Sequence, residues 1–130
     1  MSYSIPQTIT YSIPAITLQA STATYAIRGP KGKQGRVSDV LVRCTTTVVV
    51  GVSIKGALKI GNGTTADLYG VVAPDAMTAP SAGAQSDLDA GTTVSTTVIA
   101  ADTVVLCATV AATGASNAGV VTYDVVINWF

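Results

Sequence analysis

The chain has 130 residues, with seven basic and seven acidic side chains, no histidine and a formal net charge of zero, a length that fits one domain. Charged residues make up only 11% and mean hydropathy is +0.50, which excludes a disordered chain and leaves more apolar surface than a small free monomer carries, so much of it is expected to lie against other subunits. Without histidine there is no Ser-His-Asp or Cys-His nucleophile, no imidazole base and no His-bearing zinc site, and two cysteines are too few for an all-cysteine one, so neither an enzyme nor a metal or cofactor is expected.

With 19 Thr, 18 Val and 9 Ile, about a third of the chain is β-branched, and the elements it predicts are strands. Residues 1–27 carry no charge and open on an eight-residue repeat, Tyr3-Ser4-Ile5-Pro6 and Tyr11-Ser12-Ile13-Pro14. Eight is even, so in an extended chain both tyrosines point to the same side. The prolines exclude a helix and a central strand. Residues 1–14 therefore read equally as an extended arm or as an edge strand, and residues 15–130 as one β-sandwich domain. The segment lacks the basic start and solid apolar core of a secretory signal, and no apolar run in the chain reaches the length of a membrane span, so synthesis in the cytoplasm is expected. A strand of the domain begins at Ile16, Leu18 and Ala20.

Next comes Gly29-Pro30-Lys31-Gly32-Lys33-Gln34-Gly35-Arg36, with glycine at every third residue. With Arg28 before it, the stretch reads as a flexible basic loop whose backbone can approach a partner closely. Few aromatics interleave with its cations and the isoelectric point is about 6.0, so nucleic acid is not an expected partner. Val37 to Cys44 reads as a strand, followed by the β-branched run 45–50. Val52, Ile54, Leu58 and Ile60 alternate with Ser53, Lys55 and Lys59 as in a half-buried antiparallel strand. Gly61-Asn62-Gly63 then signals a tight turn, with residues 67–72 returning as the paired strand.

Residues 73–91 form a long loop, in which Asp87 and Asp89 read as solvated rather than as calcium ligands. Three strands close the chain, over residues 92–99, 103–110 and 120–130. The last is apolar on both faces, with Val121, Tyr123, Val125, Ile127 and Trp129 on one and Val120, Val126 and Phe130 on the other. Its aromatics either plug the core or anchor a subunit interface, which makes Tyr123, Trp129 and Phe130 interface candidates. Cys44 and Cys107, each in a strand-like stretch, read as small core thiols rather than as a disulfide. Seven or eight short strands with turn signals between them describe an all-β antiparallel sandwich of the jelly-roll type.

The zero net charge hides a pattern: residues 1–27 sum to 0, residues 28–59 to +6 and residues 60–130 to −6. In an assembly such segments offer complementary patches.

The run Gly29 to Val37 leading into Asp39-Val40, the stretch Val98-Ile99-Ala100-Ala101-Asp102-Thr103-Val104, the pairs Thr113-Gly114 and Ala118-Gly119, and the closing Asp124-Val125-Val126-Ile127-Asn128-Trp129-Phe130 resemble small structural proteins of tailed bacteriophages. Among these the chain is most similar, over residues 28–130, to the jelly-roll decoration, or cement, proteins of capsid exteriors. The resemblance implies a homotrimer on the outside of a phage head, clamping neighbouring major capsid protein subunits, with no catalytic residues and no small-molecule substrate, nucleic acid or membrane as partner. On that reading Tyr3, Ile5, Pro6, Tyr11, Ile13 and Pro14 of the arm and Arg28, Lys31, Lys33 and Arg36 of the basic loop are the candidate capsid contacts, and an arm would be dispensable for folding. A receptor- or carbohydrate-binding virion module and a self-assembling coat or tail-tube subunit are the competing expectations.

Overall fold

In the computed structural model, the structure describes residues 5–17, 23–49, 56–73, 85–86, 93–94, 97–112 and 118–130. These form nine strands and no helix: β1 (Gln7–Thr17), β2 (Thr24–Arg28), β3 (Gly35–Val49), β4 (Ala57–Gly61), β5 (Gly70–Val72), β6 (Gln85–Ser86), β7 (Thr93–Val94), β8 (Val104–Val110) and β9 (Ala118–Trp129). They make two sheets, one in the order β1-β9-β3-β6 and the other β2-β8-β4-β5-β7. Every ladder is antiparallel.

The pairings nest. β1 pairs with β9, β2 with β8, β3 with β6 and β4 with β5, as if one long hairpin had been rolled across two sheets. That is the jelly roll, with β7 added beyond β5. The strand period explains which faces meet. Along β8 the inward Val105, Cys107 and Thr109 are buried while Val104, Leu106, Ala108 and Val110 are half-buried on the outside, the period of two that a strand imposes. The same period turns Leu58 and Ile60 of β4 inward, while Lys59 is half-buried on the outer face. Val40 and Val42 of β3 meet Val121, Tyr123, Val125 and Ile127 of β9 from inside the first sheet.

Several elements differ from their sequence expectation. The basic run is shorter as a loop, because β3 already begins at Gly35, and the strand expected over Val37 to Cys44 continues into the β-branched run as far as Val49. Its length is accommodated by register shifts after Val37, Cys44 and Thr46, which bend it around the core. The tight turn at Gly61-Asn62-Gly63 does not form. Asn62 Oδ1 instead accepts the backbone N–H of Thr64 and of Thr65, at 2.9 and 2.7 Å, and this wider loop delays the return strand to Gly70. Of the strand expected over residues 92–99, β7 and a bridge between Ile99 and Gly35 are described. Val52, Ile54, Asp87 and Asp89 lie outside the described residues.

Cys44 and Cys107 are buried thiols on the inner faces of opposite sheets. Burial pushes the Cys107 thiol up to about 12.

Candidate functional site

The strand register gathers one end of the sandwich. Gln7, Trp129 and Gly35 stand side by side across β1, β9 and β3, Arg28 faces Val104, and Gly61 faces Leu106. The start of β1, the loop between β2 and β3, the turn before β8 and the end of β9 therefore meet here. This end carries Arg28, Lys31 and Lys33, with Arg36 opposite Asn128 on the adjoining outer face.

The basic loop is held in place from three sides. Beneath it lies Trp129, 1% exposed. A Cβ on Gly29 would fall 2.3 Å from the indole and one on Gly35 would fall 2.6 Å from it, so both glycines are spaces the ring fills. To one side, Gly35 and Ile99 exchange backbone hydrogen bonds at 2.9 and 2.7 Å, and the Gly32 N–H donates to Asp102 Oδ1 at 2.8 Å. To the other, Gln34 and Phe130 exchange backbone bonds at 3.0 and 2.9 Å, and Lys33 Nζ donates to the Ile5 carbonyl. The loop expected to be flexible is thus a fixed platform, and what Gly29 and Gly35 admit is the protein's own tryptophan.

Exposed apolar side chains surround this platform. Ile5 is 70% exposed, Phe130 44% and Val98 38%. Of the arm candidates, Ile5 and Pro6 are exposed here, Tyr3 lies outside the described residues, and Pro14 is exposed further along β1, at the bulge where the register shifts between Ile13 and Ile16. A proline in a sheet requires such an edge or bulge. Tyr11 and Ile13 point the other way. Ile13 is buried in the core, and the Tyr11 hydroxyl accepts a hydrogen bond from Trp129 Nε1 at 3.0 Å. Ile13 has no surface to give a capsid, and Tyr11 is half-buried with its hydroxyl turned to Trp129.

The interface candidates divide in the same manner. Tyr123 and Trp129 are 0% and 1% exposed and belong to the core, so only Phe130 can reach another molecule. The Tyr123 hydroxyl has no hydrogen-bond partner among the described residues, and burial pushes the phenol well above its usual value. Asp102, Thr103 and Val98 are site residues that sequence reasoning passed over. Residues 100–102 fall between two expected strands, but nothing in their composition places them beside the basic loop.

The two outer sheet faces contrast. On the first sheet, Thr8, Thr10, Ser12, Arg36, Asp39, Arg43, Thr122, Asp124 and Asn128 face outward in register, with the half-buried Leu41, Val120 and Val126 among them. Across its middle, Arg43 Nε lies 2.7 Å from Asp124 Oδ2, and Ser12 Oγ donates to Asp124 Oδ1 at 2.6 Å, tying β3, β9 and β1 together. Burial alone would raise the Asp124 pKa, but the bonds from Arg43 and Ser12 and the Arg43 charge outweigh it and hold it below the usual value. The second sheet instead presents Ala26, Ala57, Val71, Val104, Leu106, Ala108 and Val110, with Arg28 at a corner and Lys59 among them as its cations. Among the described residues no group of three His, Cys, Asp or Glu side chains gathers as a metal site would require.

Compared with protein-family models, with curated proteins and with solved structures, the chain shows no match.

Proposed function

We propose that this protein is a structural virion component, a decoration protein that binds the outside of a tailed-phage head as a homotrimer and stabilises contacts between major capsid protein subunits. The observation that carries the reading is the outer face of the second sheet. On it Val104, Leu106, Ala108, Val110, Val71 and two further alanines stand together, with Lys59 between Ala108 and Val71 and Arg28 at a corner as the charges among the described residues, whereas a sheet turned to water alternates apolar with polar residues. Covering that face with sister subunits removes the apolar surface that the composition left unexplained.

The platform at the basic end suits the second half of the role. Its cations would meet acidic capsid surface, while Ile5, Val98 and Phe130 supply apolar contact. Three such ends on one trimer bind several capsid subunits at once, so modest single contacts sum to firm attachment. The jelly-roll strand order and the sequence resemblance over residues 28–130 support the same assignment.

Cryo-electron microscopy of the phage particle that carries this chain tests the proposal. Threefold density for the jelly roll on the outer shell surface, with the basic end toward the capsid, is the expected result. Density in the tail, or in the shell itself as the main coat, overturns it, and so does purified protein polymerising alone into shells or tubes.

A further inference from the structure

A small cleft at the basic end has chemistry of its own. It holds about 180 Å³ and is lined by Arg28, Gly29, Lys31, Asp102, Thr103 and Val104. That is too small for a cofactor or a drug-sized ligand, and suits a single side-chain group.

Charge and rigidity together define the group. Arg28 and Lys31 bring two cations against one carboxylate, and Asp102 already has its Oδ1 engaged by the Gly32 N–H at 2.8 Å. The walls are set before any partner arrives, because the Gly35–Ile99 bridge joins the two segments that form them and the Trp129 indole fixes the floor under Gly29. Asp102 holds φ at 61°, the left-handed conformation that Asp tolerates in a turn, here the one closed by the Thr103 N–H on the Ala100 carbonyl at 3.2 Å.

We infer that this cleft receives a carboxylate side chain from an acidic protein surface, with Arg28 and Lys31 as the clamp. The inference rests on the decoration reading for the identity of the partner, and names what the capsid must present: an Asp or Glu standing proud of its surface. A guanidinium beside a carboxylate makes short charge-assisted bonds, and an ammonium adds a second point charge.

Trp129, the chain's single tryptophan, lies directly beneath Gly29 and reports occupancy. The test titrates the full-length protein with the peptide acetyl-Asp-Glu-Asp-Glu-amide while following Trp129 emission, with inorganic phosphate and a single-stranded oligonucleotide as comparators. A saturable change is expected with the peptide, weakening as salt is added. The double variant Arg28→Gln/Lys31→Gln should bind at least about tenfold more weakly, as expected for loss of charge-assisted bonds, with an unchanged circular dichroism spectrum. Lys59→Gln, on the outer face of the second sheet, should bind as the parent does. No saturable change, undiminished binding by the double variant, or phosphate or oligonucleotide binding as tightly as the peptide overturns the inference. The titration needs neither capsid nor trimer, so its failure leaves the decoration proposal standing, and failure of that proposal leaves the titration informative.

Discussion

The indole of Trp129 sits in a slot whose walls are the missing side chains of Gly29 and Gly35, with Tyr11 accepting its one polar hydrogen. A methyl group at Gly29 would overlap the ring at 2.3 Å. Gly29→Ala is therefore expected to cost about 1–3 kcal/mol through overpacking and to shift Trp129 emission; urea unfolding followed by fluorescence measures both, and an unchanged midpoint contradicts the packing. Asp124 makes a different prediction. Its folded pKa lies below the unfolded value, so the unfolded chain takes up the proton first as pH falls. The stability it contributes is complete above the ordinary carboxylate range, near pH 4, and drains away as pH drops through the lower folded value. Thermal melts between pH 2 and pH 7 should show Asp124→Asn destabilised at neutral pH and losing less on acidification than the parent. Parallel curves for the two proteins contradict the assignment.

Element by element, legibility in the sequence followed apolar patterning. β4 was readable because Leu58 and Ile60 alternate with Lys59, and the period of two shows directly. β8 was readable as a short β-branched run, although it is apolar on both faces and its period of two shows only in burial. β9 was readable as a two-faced apolar strand, and the reason is its place between β1 and β3, whose neighbours half-bury even its outer Val120 and Val126. The two-residue strands β6 and β7 were not readable, since two residues carry no period. β1 shows the limit most clearly. Its prolines restricted it to an arm or an edge, but only the pairing with β9, more than a hundred residues away, decides what its side chains do. Ile13 enters the core and Tyr11 reaches Trp129. Deleting residues 2–14 should therefore do more than remove a tether: it strips the cover from β9 and leaves the Trp129 N–H without its acceptor. The expected product is aggregated or lacks a cooperative thermal transition, read by light scattering and circular dichroism. A deletion protein that melts as the parent does contradicts the role of β1.

At the scale of the molecule, composition pointed to covered surface without saying where. Balanced charge and a low charged fraction are properties of the whole chain, whereas location depends on which strands share a face. The jelly roll supplies that: it sends mostly Thr, Ser, Arg and Asp to the outside of one sheet and mostly Val, Leu and Ala, with Lys59 among them, to the outside of the other, and it draws Arg28, Lys31 and Lys33 together at one end. The −6 segment is only partly placed, with Asp124 across from Arg43 and Asp102 beside Gly32, while Asp75, Asp87 and Asp89 lie outside the described residues. The central claim is that the apolar outer face of the second sheet is a contact between copies of the chain. Sedimentation velocity at micromolar concentration, run on the parent and on Leu106→Lys, tests it most directly, because Leu106 is half-buried on that face between Ala26 and Gly61 and a lysine there leaves the core intact. The account predicts a parent species at three times 13.1 kDa and a folded Leu106→Lys monomer. A parent that sediments as a 13.1 kDa monomer, or a Leu106→Lys variant that remains trimeric, contradicts it.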